Sequence, residues 1–190
     1  MQIFYYNFEN SNHFLDRLTK FPDGLTVSKK DFKSLLSKIG SEVTMGQKLL
    51  PMHLEVKGLD RQNVKTACEL LSNTVAELFR YFFGEKKALS DFIDLADKSF
   101  NIMCSKYSEH PDFSRSAFGG QNFDNQLTTL KEFQDLVSKT QFYGAPRFNM
   151  GIIGAITAII QLQSTLQNDF NVTRLLTSHT TQGCGCVLQF

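Results

Sequence analysis

Four long runs of apolar residues at helical spacing constrain the fold of this chain most. The clearest run extends from about Arg61 to Phe83, and its apolar positions recur every three or four residues, as on one face of a helix. Similar runs cover about Ser90–Tyr107, Phe123–Lys139 and Phe148–Asn168. Only four prolines occur among the 190 residues, so few helices need be interrupted. The sequence therefore predicts a mostly α, compact domain of four to six helices.

The apolar stripes also indicate which residues form the core. Helix Phe148–Asn168 is apolar nearly all round over its first half, which predicts that it is the central helix. Its most apolar run, Met150–Ile160, is shorter than the about 20 residues that cross a bilayer, so we interpret it as a buried helix and expect no membrane partner. The stripe of the first long helix consists of Val64, Ala67, Cys68, Leu71, Val75, Leu78, Phe79 and Phe82.

The segments between these helices carry weaker signals. Residues Met1–Tyr6 could form a short strand, and Pro22-Asp23-Gly24 is typical of a turn. Ser28 is placed to cap a short helix that ends at Gly40. Residues 41–59 and 108–121 are predicted to be loops, and a tail rich in glycine and cysteine closes the chain.

Charge and motifs exclude several functions. The formal net charge is +1, whereas a free-standing nucleic-acid binder carries a basic excess. The lysines at 29, 30, 33 and 38 are most simply a solvated face, with a local nucleic-acid contact as the alternative. No Gly-rich phosphate loop, HExxH or GxSxG motif is present, and Cys184 and Cys186 lack a second ligand pair, so we predict no metal site. No signal peptide is visible, which predicts an intracellular protein.

One segment resembles a known family. Residues 61–76, RQNVKTACELLSNTVA, resemble the segment KMKVKLAAQVLSNSVA of P-element-type DNA transposases and their THAP-domain relatives. Further similarities follow in the family's order over roughly residues 20–182. They are Asp23-Gly24 with Val27-Ser28 and Phe32, Lys48-Leu49 with His53-Leu54, Phe92-Ile93 with Asp97–Phe100, Ile152–Ser164, and Leu175–Ser178 with Gln182.

The resemblance implies a fold and a domain plan. In the family, a helical insertion that binds GTP splits an RNase H-like catalytic domain, and a zinc-binding THAP domain lies elsewhere. By this comparison residues 1–40 are an N-terminal flank with a short helix, a remnant of the RNase H-like side. Residues 41–171 are the helical insertion domain, and residues 172–190 are a C-terminal flank with a divergent tail.

The resemblance also implies that the chain is not an enzyme. Two-metal DNA cleavage needs close carboxylates, and the family's upstream acids and final glutamate have no counterpart here. Gln182 is followed by Gly183, and no Asp or Glu occurs after Asp169. We therefore expect a transposase-derived, catalytically incomplete module, nuclear by resemblance. Its partners would be a transposase-like protein or itself, with DNA bound only as part of a larger transposase. The alternative is a helical protein-interaction module, or a truncated or domesticated fragment without nucleotide binding.

The residues of the family's nucleotide pocket can be matched one by one to positions of this sequence. Phe100 matches the aromatic residue beside guanine, while Asn101 replaces an aspartate, Cys104 an asparagine and Gly183 a later aspartate. Lys65 and Arg80 could face the phosphates. The alternative is that Phe100 packs in the core and both basic residues are solvated. Because an amide accepts only one of the two guanine N–H donors, the resemblance implies GTP binding with weak affinity.

Overall fold

The computed structural model describes residues 18–42, 49–55, 64–105, 107–143, 146–170, 174–180 and 183–189. The strand expected at Met1–Tyr6 lies outside this part of the chain. The described helices confirm the mostly α prediction. They are α1 (Lys29–Glu42), α2 (Pro51–Leu54), α3 (Val64–Leu70), α4 (Asn73–Phe82), α5 (Lys87–Met103), α6 (Phe123–Lys139) and α7 (Pro146–Phe170).

Two small antiparallel sheets accompany the helices. Their strands are β1 (Thr19–Lys20), β2 (Thr26–Val27), β3 (Phe118–Gly119), β4 (Gln141–Phe142), β5 (Arg174–Thr180) and β6 (Gly183–Gln189). One sheet has the order β2-β1-β4 and the other β3-β5-β6. The C-terminal tail is therefore a β-hairpin where no regular structure was predicted, and it joins the rest of the fold through the pairs Phe118–Leu175 and Gly119–Arg174.

The predicted turn and helix start before α1 are confirmed. Gly24 has a φ of 88°, which favours glycine, and the Phe21 N–H donates to the Leu25 carbonyl at 2.8 Å. Ser28 and Asp31 cap the helix reciprocally, because the Lys30 N–H donates to Ser28 Oγ at 3.3 Å and the Ser28 N–H to Asp31 Oδ2 at 2.7 Å. The helix passes Gly40 and ends two residues later than predicted.

The predicted helix Arg61–Phe83 is two helices. Its first residues lie outside the described part of the chain, and α3 ends at Leu70. Ser72 is extended, with φ −86° and ψ 154°, and becomes the N-cap residue of α4. Its hydroxyl donates to the Glu69 carbonyl at 2.9 Å, which satisfies a backbone group at the end of α3. Leu71 remains 4% exposed, so the apolar stripe continues through the break.

The central helix is α5, and the prediction that the 148–168 helix is central is wrong. α5 packs against α4 on one side and α6 on the other, and the Phe92 ring lies 5.5 Å from that of Phe21 and 5.6 Å from that of Phe133. α7 packs mainly against α6 and β4, so only one side of it is covered. The hydrophobic cluster around α5 includes residues on both sides of residue 40, and the predicted domain boundaries stay predictions.

The apolar helix α7 is longer than the run Met150–Ile160. The stretch Phe148–Phe170 is long and apolar enough to cross a membrane by length and composition, a test that core helices of soluble proteins also pass. Its buried residues form a stripe toward the core: Phe148, Ile152, Ile156, Ile159 and Gln163.

The predicted surface loop 108–121 is largely buried near its end, and a single glutamine holds it there. Gln126 of α6 is 0% exposed. Its Nε2 donates to the carbonyls of Phe113 (2.9 Å), Ser116 (3.2 Å) and Ala117 (3.2 Å), and its Oε1 accepts from the Gly119 N–H (3.0 Å). The amide therefore supplies hydrogen bonds to a segment whose own regular structure is limited to the 3₁₀ turn Phe113–Arg115 and the two residues of β3.

Candidate functional site

A polar groove runs between two helical segments that are antiparallel to each other. α4 forms one wall, and α5 returns along it after the 3₁₀ turn Gly84–Lys86. Along the groove α5 presents half-buried polar side chains every three or four residues, which keeps them on one helix face. They are Asp91, Asp94, Lys98, Asn101 and Cys104.

Arg80 occupies one end of this groove within a network of carboxylates. Its guanidinium lies 2.5 Å from Glu77 Oε1, 3.3 Å from Asp91 Oδ1 and 3.5 Å from Asp94 Oδ2. Burial lowers the pKa of Arg80, but hydrogen bonds with Glu77 and Asp91 outweigh it and leave the pKa above its ordinary value. The charge of Arg80 is therefore already matched by protein groups.

The opposite end of the groove lies near Cys68 of α3. Burial, with smaller contributions from the nearby charges of Cys104, Asp97 and Glu69, raises the pKa of the Cys68 thiol to about 12. These neighbours place Cys68 of α3 beside the last two turns of α5. Cys104, which follows the last residue of α5, is also a free cysteine.

Lys65 lies on α3 at this second end. Its side chain is 82% exposed, and its Nζ is 3.9 Å from Glu69 Oε1. The other oxygen of Glu69 lies 3.0 Å from Nε2 of the buried His53. His53 Nδ1 accepts from the Leu50 N–H at 3.2 Å, so the proton of the neutral ring is on Nε2, where it faces Glu69. Part of the predicted loop 41–59 is thus the short helix α2, which this histidine ties to α3.

Phe100 and Asn101 lie on α5 between the two ends. Phe100 is partly buried and packs against the hydrophobic core, which is the structural alternative considered for it. Asn101 Nδ2 donates to Asp97 Oδ2 at 3.3 Å, which leaves the amide oxygen as an acceptor.

The two predicted phosphate-binding residues are not close together. Arg80 contacts Asp91 and Asp94, whereas Lys65 lies one helical turn before Cys68, whose neighbour is Cys104. The thirteen residues from Asp91 to Cys104 span about 20 Å of helix. Lys65 therefore lies on the helix of Cys68, whereas Arg80 contacts Asp91 and also Asp94, which is about 10 Å of helix before Asn101.

A cavity of about 280 Å³ opens beside the groove. Its charged lining consists of Glu77, Asp94, Asp97 and Asp112 with Arg80, Lys98 and Arg115. Four carboxylates against three cations give it no excess of positive charge, so it does not favour a triphosphate by charge alone.

The acidic and histidine partners of this site were not predicted from the sequence. Glu69 pairs with Lys65 and Asp97 with Asn101 at i,i+4 spacing within one helix, a pattern that the sequence does contain. The contact of His53 with Glu69 joins two helices, and no local pattern marks it. Within the described residues, no group of three or more His, Cys, Asp or Glu side chains is placed to hold a metal ion. The lysines at 30, 33 and 38 of α1 are exposed, and Lys33 Nζ lies 3.8 Å from Glu55 Oε1.

Comparisons with known proteins agree on one relative. No protein-family model matches the chain. The chain is 28% identical over 181 residues to the transposable element P transposase of Drosophila melanogaster, which covers 90% of this chain and 24% of the transposase. Its fold matches a solved chain of the Drosophila P element transposase strand transfer complex with a TM-score of 0.77 and 23% identity, over 90% of this chain and 40% of that chain.

The chain thus spans about a quarter of the length of the curated relative and less than half of the solved chain. The sequence match extends over nearly the whole chain, as the ordered motifs predict. The structural match independently supports the mostly helical fold. The chain is therefore a transposase-related protein, homologous to one region of the Drosophila P element transposase.

Proposed function

We propose that the chain is a transposase-derived module equivalent to the GTP-binding insertion of P-element-type transposases, without catalytic activity of its own. The observation that carries this proposal is the match of 90% of the chain to that transposase in both sequence and fold, with the motifs in the family's order. The proposed setting is the nucleus, with a transposase-like protein as partner and DNA contacted only within a larger assembly.

The proposed nucleotide site lies at the α3 end of the groove. Guanine would lie against Phe100, with Asn101 and Cys104 at its polar edge and Lys65 near the phosphates. Arg80 is held by three carboxylates, so we give it a structural role in place of the predicted phosphate contact.

Two features of this end favour weak binding. Glu69 is 3.9 Å from Lys65 and partly neutralises its charge, and Asp97 adds a carboxylate that repels phosphate. Asn101 uses its amide N–H on Asp97 and offers guanine a single neutral acceptor. Two lost contacts to guanine at about 1–3 kcal/mol each weaken binding roughly 10²- to 10⁴-fold.

Titration calorimetry with GTP and ATP tests this proposal. We expect weak or undetectable GTP binding, with less than about tenfold preference for GTP over ATP. Micromolar, GTP-selective binding that Lys65→Ala abolishes would show that the substitutions do not impair the pocket.

A restoring variant gives the sharper test. Asn101→Asp combined with Cys104→Asn returns the family's groups to the guanine edge and should strengthen GTP binding about 10-fold or more, with no gain for ATP. In that background Lys65→Ala should weaken binding, and Arg80→Gln should leave the affinity unchanged. If the double variant binds no better than the native chain, positions 101 and 104 do not face a nucleotide.

The proposed lack of catalysis has its own test. The resemblance matches no residue of this chain to the acidic residues that hold metal ions in the family's catalytic domain. The purified chain, incubated with terminal-repeat DNA and Mg²⁺ or Mn²⁺, should give no cleavage or strand transfer. Specific nicking by this chain would refute the proposal.

A second candidate function is a helical interaction module. The observation in its favour is the large uncovered side of α7, where Met150 is 73% and Phe170 63% exposed. This function does not require a nucleotide, and the two candidates are therefore separable by experiment.

A further inference from the structure

The side-chain amide of Asn101 has a fixed orientation in the groove. Its Nδ2 donates to Asp97 Oδ2 at 3.3 Å, one turn earlier on the same half-buried face of α5. Because a carboxylate offers only acceptors, the amide cannot turn its oxygen toward Asp97. The contact therefore selects one of the two orientations of the amide, and it leaves Oδ1 and the second N–H of Nδ2 for another partner.

These remaining groups differ from those of an aspartate at the same position. Two carboxylate oxygens accept from two neighbouring N–H donors, which suits the N1–H and the 2-amino group of guanine. The amide of Asn101 accepts from one donor and donates to an acceptor beside it. Against guanine, an N–H of the amide faces an N–H of the base, and both groups lose a partner.

Two changes to the base remove this conflict step by step. Hypoxanthine has O6 and N1–H, as guanine has, but only a C–H at C2, so no amino group opposes the amide. Xanthine has an oxygen at C2, and its N1–H lies between two carbonyl groups. An amide can therefore accept from N1–H and donate to the neighbouring oxygen at the same time, on either side of that N–H.

We propose that the nucleotide site favours a xanthine nucleotide over a guanine nucleotide, with Asn101 as the specificity-determining residue and Asp97 as its positioning residue. This inference rests on the proposed function, because it takes position 101 to face the base. A site built to pair one donor and one acceptor rejects a base that leaves them unpaired. The expected order of affinity is XTP, then ITP, then GTP, with about tenfold or more between the first and the last.

Titrations with XTP, ITP, GTP and ATP, followed by ligand-observed NMR, test the proposal at the weak affinities expected. All four probes carry the same triphosphate, so the differences between them report on the base. Asn101→Asp should reverse the preference between XTP and GTP. Asn101→Ala should weaken XTP binding and abolish the preference without placing a second carboxylate beside Asp97. Asn125→Asp is the matched control, because Asn125 is exposed on α6 and the change adds the same charge.

The expected result is the order XTP, ITP, GTP in the native chain and in Asn125→Asp, and its reversal in Asn101→Asp. A native chain that binds GTP or ATP as tightly as XTP overturns the inference and leaves nucleotide binding itself standing. A preference for XTP that survives Asn101→Ala also overturns it, since another residue then reads the base. If neither the native chain nor Asn101→Asp binds any of the four nucleotides, the proposed nucleotide site fails, and the inference fails with it.

Discussion

Replacing Gln126 by leucine should destabilise the domain more than the small change in side-chain volume suggests. The two side chains are similar in volume, so the change removes hydrogen bonds and opens little space. Gln126 is fully buried. Its side chain accepts a hydrogen bond from the Gly119 N–H and donates to the carbonyls of Phe113, Ser116 and Ala117. The Phe113 carbonyl also accepts from the Ser116 N–H, so the variant leaves up to three buried backbone groups without this partner.

A buried backbone group that loses its partner costs about 1–3 kcal/mol, and the leucine recovers part of that loss by apolar contact, so we expect about 3–5 kcal/mol in total. Urea denaturation of native and variant chains measures this difference. Gln134→Leu is the control on the same helix, since Gln134 is half-exposed and makes one strong contact, to Thr157 Oγ1 at 2.8 Å. It should cost about 1 kcal/mol. Equal losses in the two variants, or a loss below about 1 kcal/mol for Gln126→Leu, would refute the role given to this glutamine.

Two further predictions concern α3 and its junction with α4. Leu71 is 4% exposed at the helix break, so Leu71→Ala should lower the free energy of unfolding by about 2–5 kcal/mol in a thermal or urea melt. Leu18, which is 47% exposed, gives the control: Leu18→Ala should change the free energy of unfolding by less than about 0.5 kcal/mol. The Cys68 thiol has its pKa raised from 9.0 to about 12, so iodoacetamide at pH 8 should modify it on the order of 10³-fold more slowly in the folded chain than in urea. Because the raised pKa belongs to the folded state, the contribution of this thiol to the free energy of unfolding is present below pH 9 and is lost between pH 9 and 12. Equal alkylation rates of the Cys68 peptide in the folded and urea-unfolded chains would contradict the raised pKa.

Helices whose signals are local were predicted well. α6 has the bounds predicted for it, because Gly119-Gly120 before it and Gly144 with Pro146 after it mark its limits in the sequence. The break inside the first long run was missed, although Ser72 and Asn73 are residues that prefer helix starts to helix interiors. The continuous apolar stripe concealed the break, since a hydrophobic pattern records burial and not the backbone path.

Features that depend on distant partners could not be predicted. The segment 108–121 has the composition of a loop, and its buried part depends on Gln126 of α6 and on the pairing of β3 with β5. The hairpin β5–β6 has no apolar alternation long enough to distinguish it from a tail. At the candidate site, the family resemblance supplied Lys65, Asn101 and Cys104. Their neighbours Glu69 and Asp97 follow at i,i+4 spacing in the same helices, whereas the contact of Glu69 with His53 depends on the packing of α2 on α3.

The short pairing of β1 with β4 has a consequence for how this protein can be joined to others. Thr19 pairs with Phe142, so the place where the chain enters the helical body is next to the place where it leaves toward α7. The Cα atoms of residues paired on antiparallel strands lie about 4.5–5.5 Å apart, so the first and last residues of this helical body are adjacent. A unit whose ends are neighbours can be joined to a surface loop of a larger protein without separating the two ends of that loop. Here α7 and the hairpin β5–β6 pack on this unit, against α6 and β3, so any such junction has to carry them along with it.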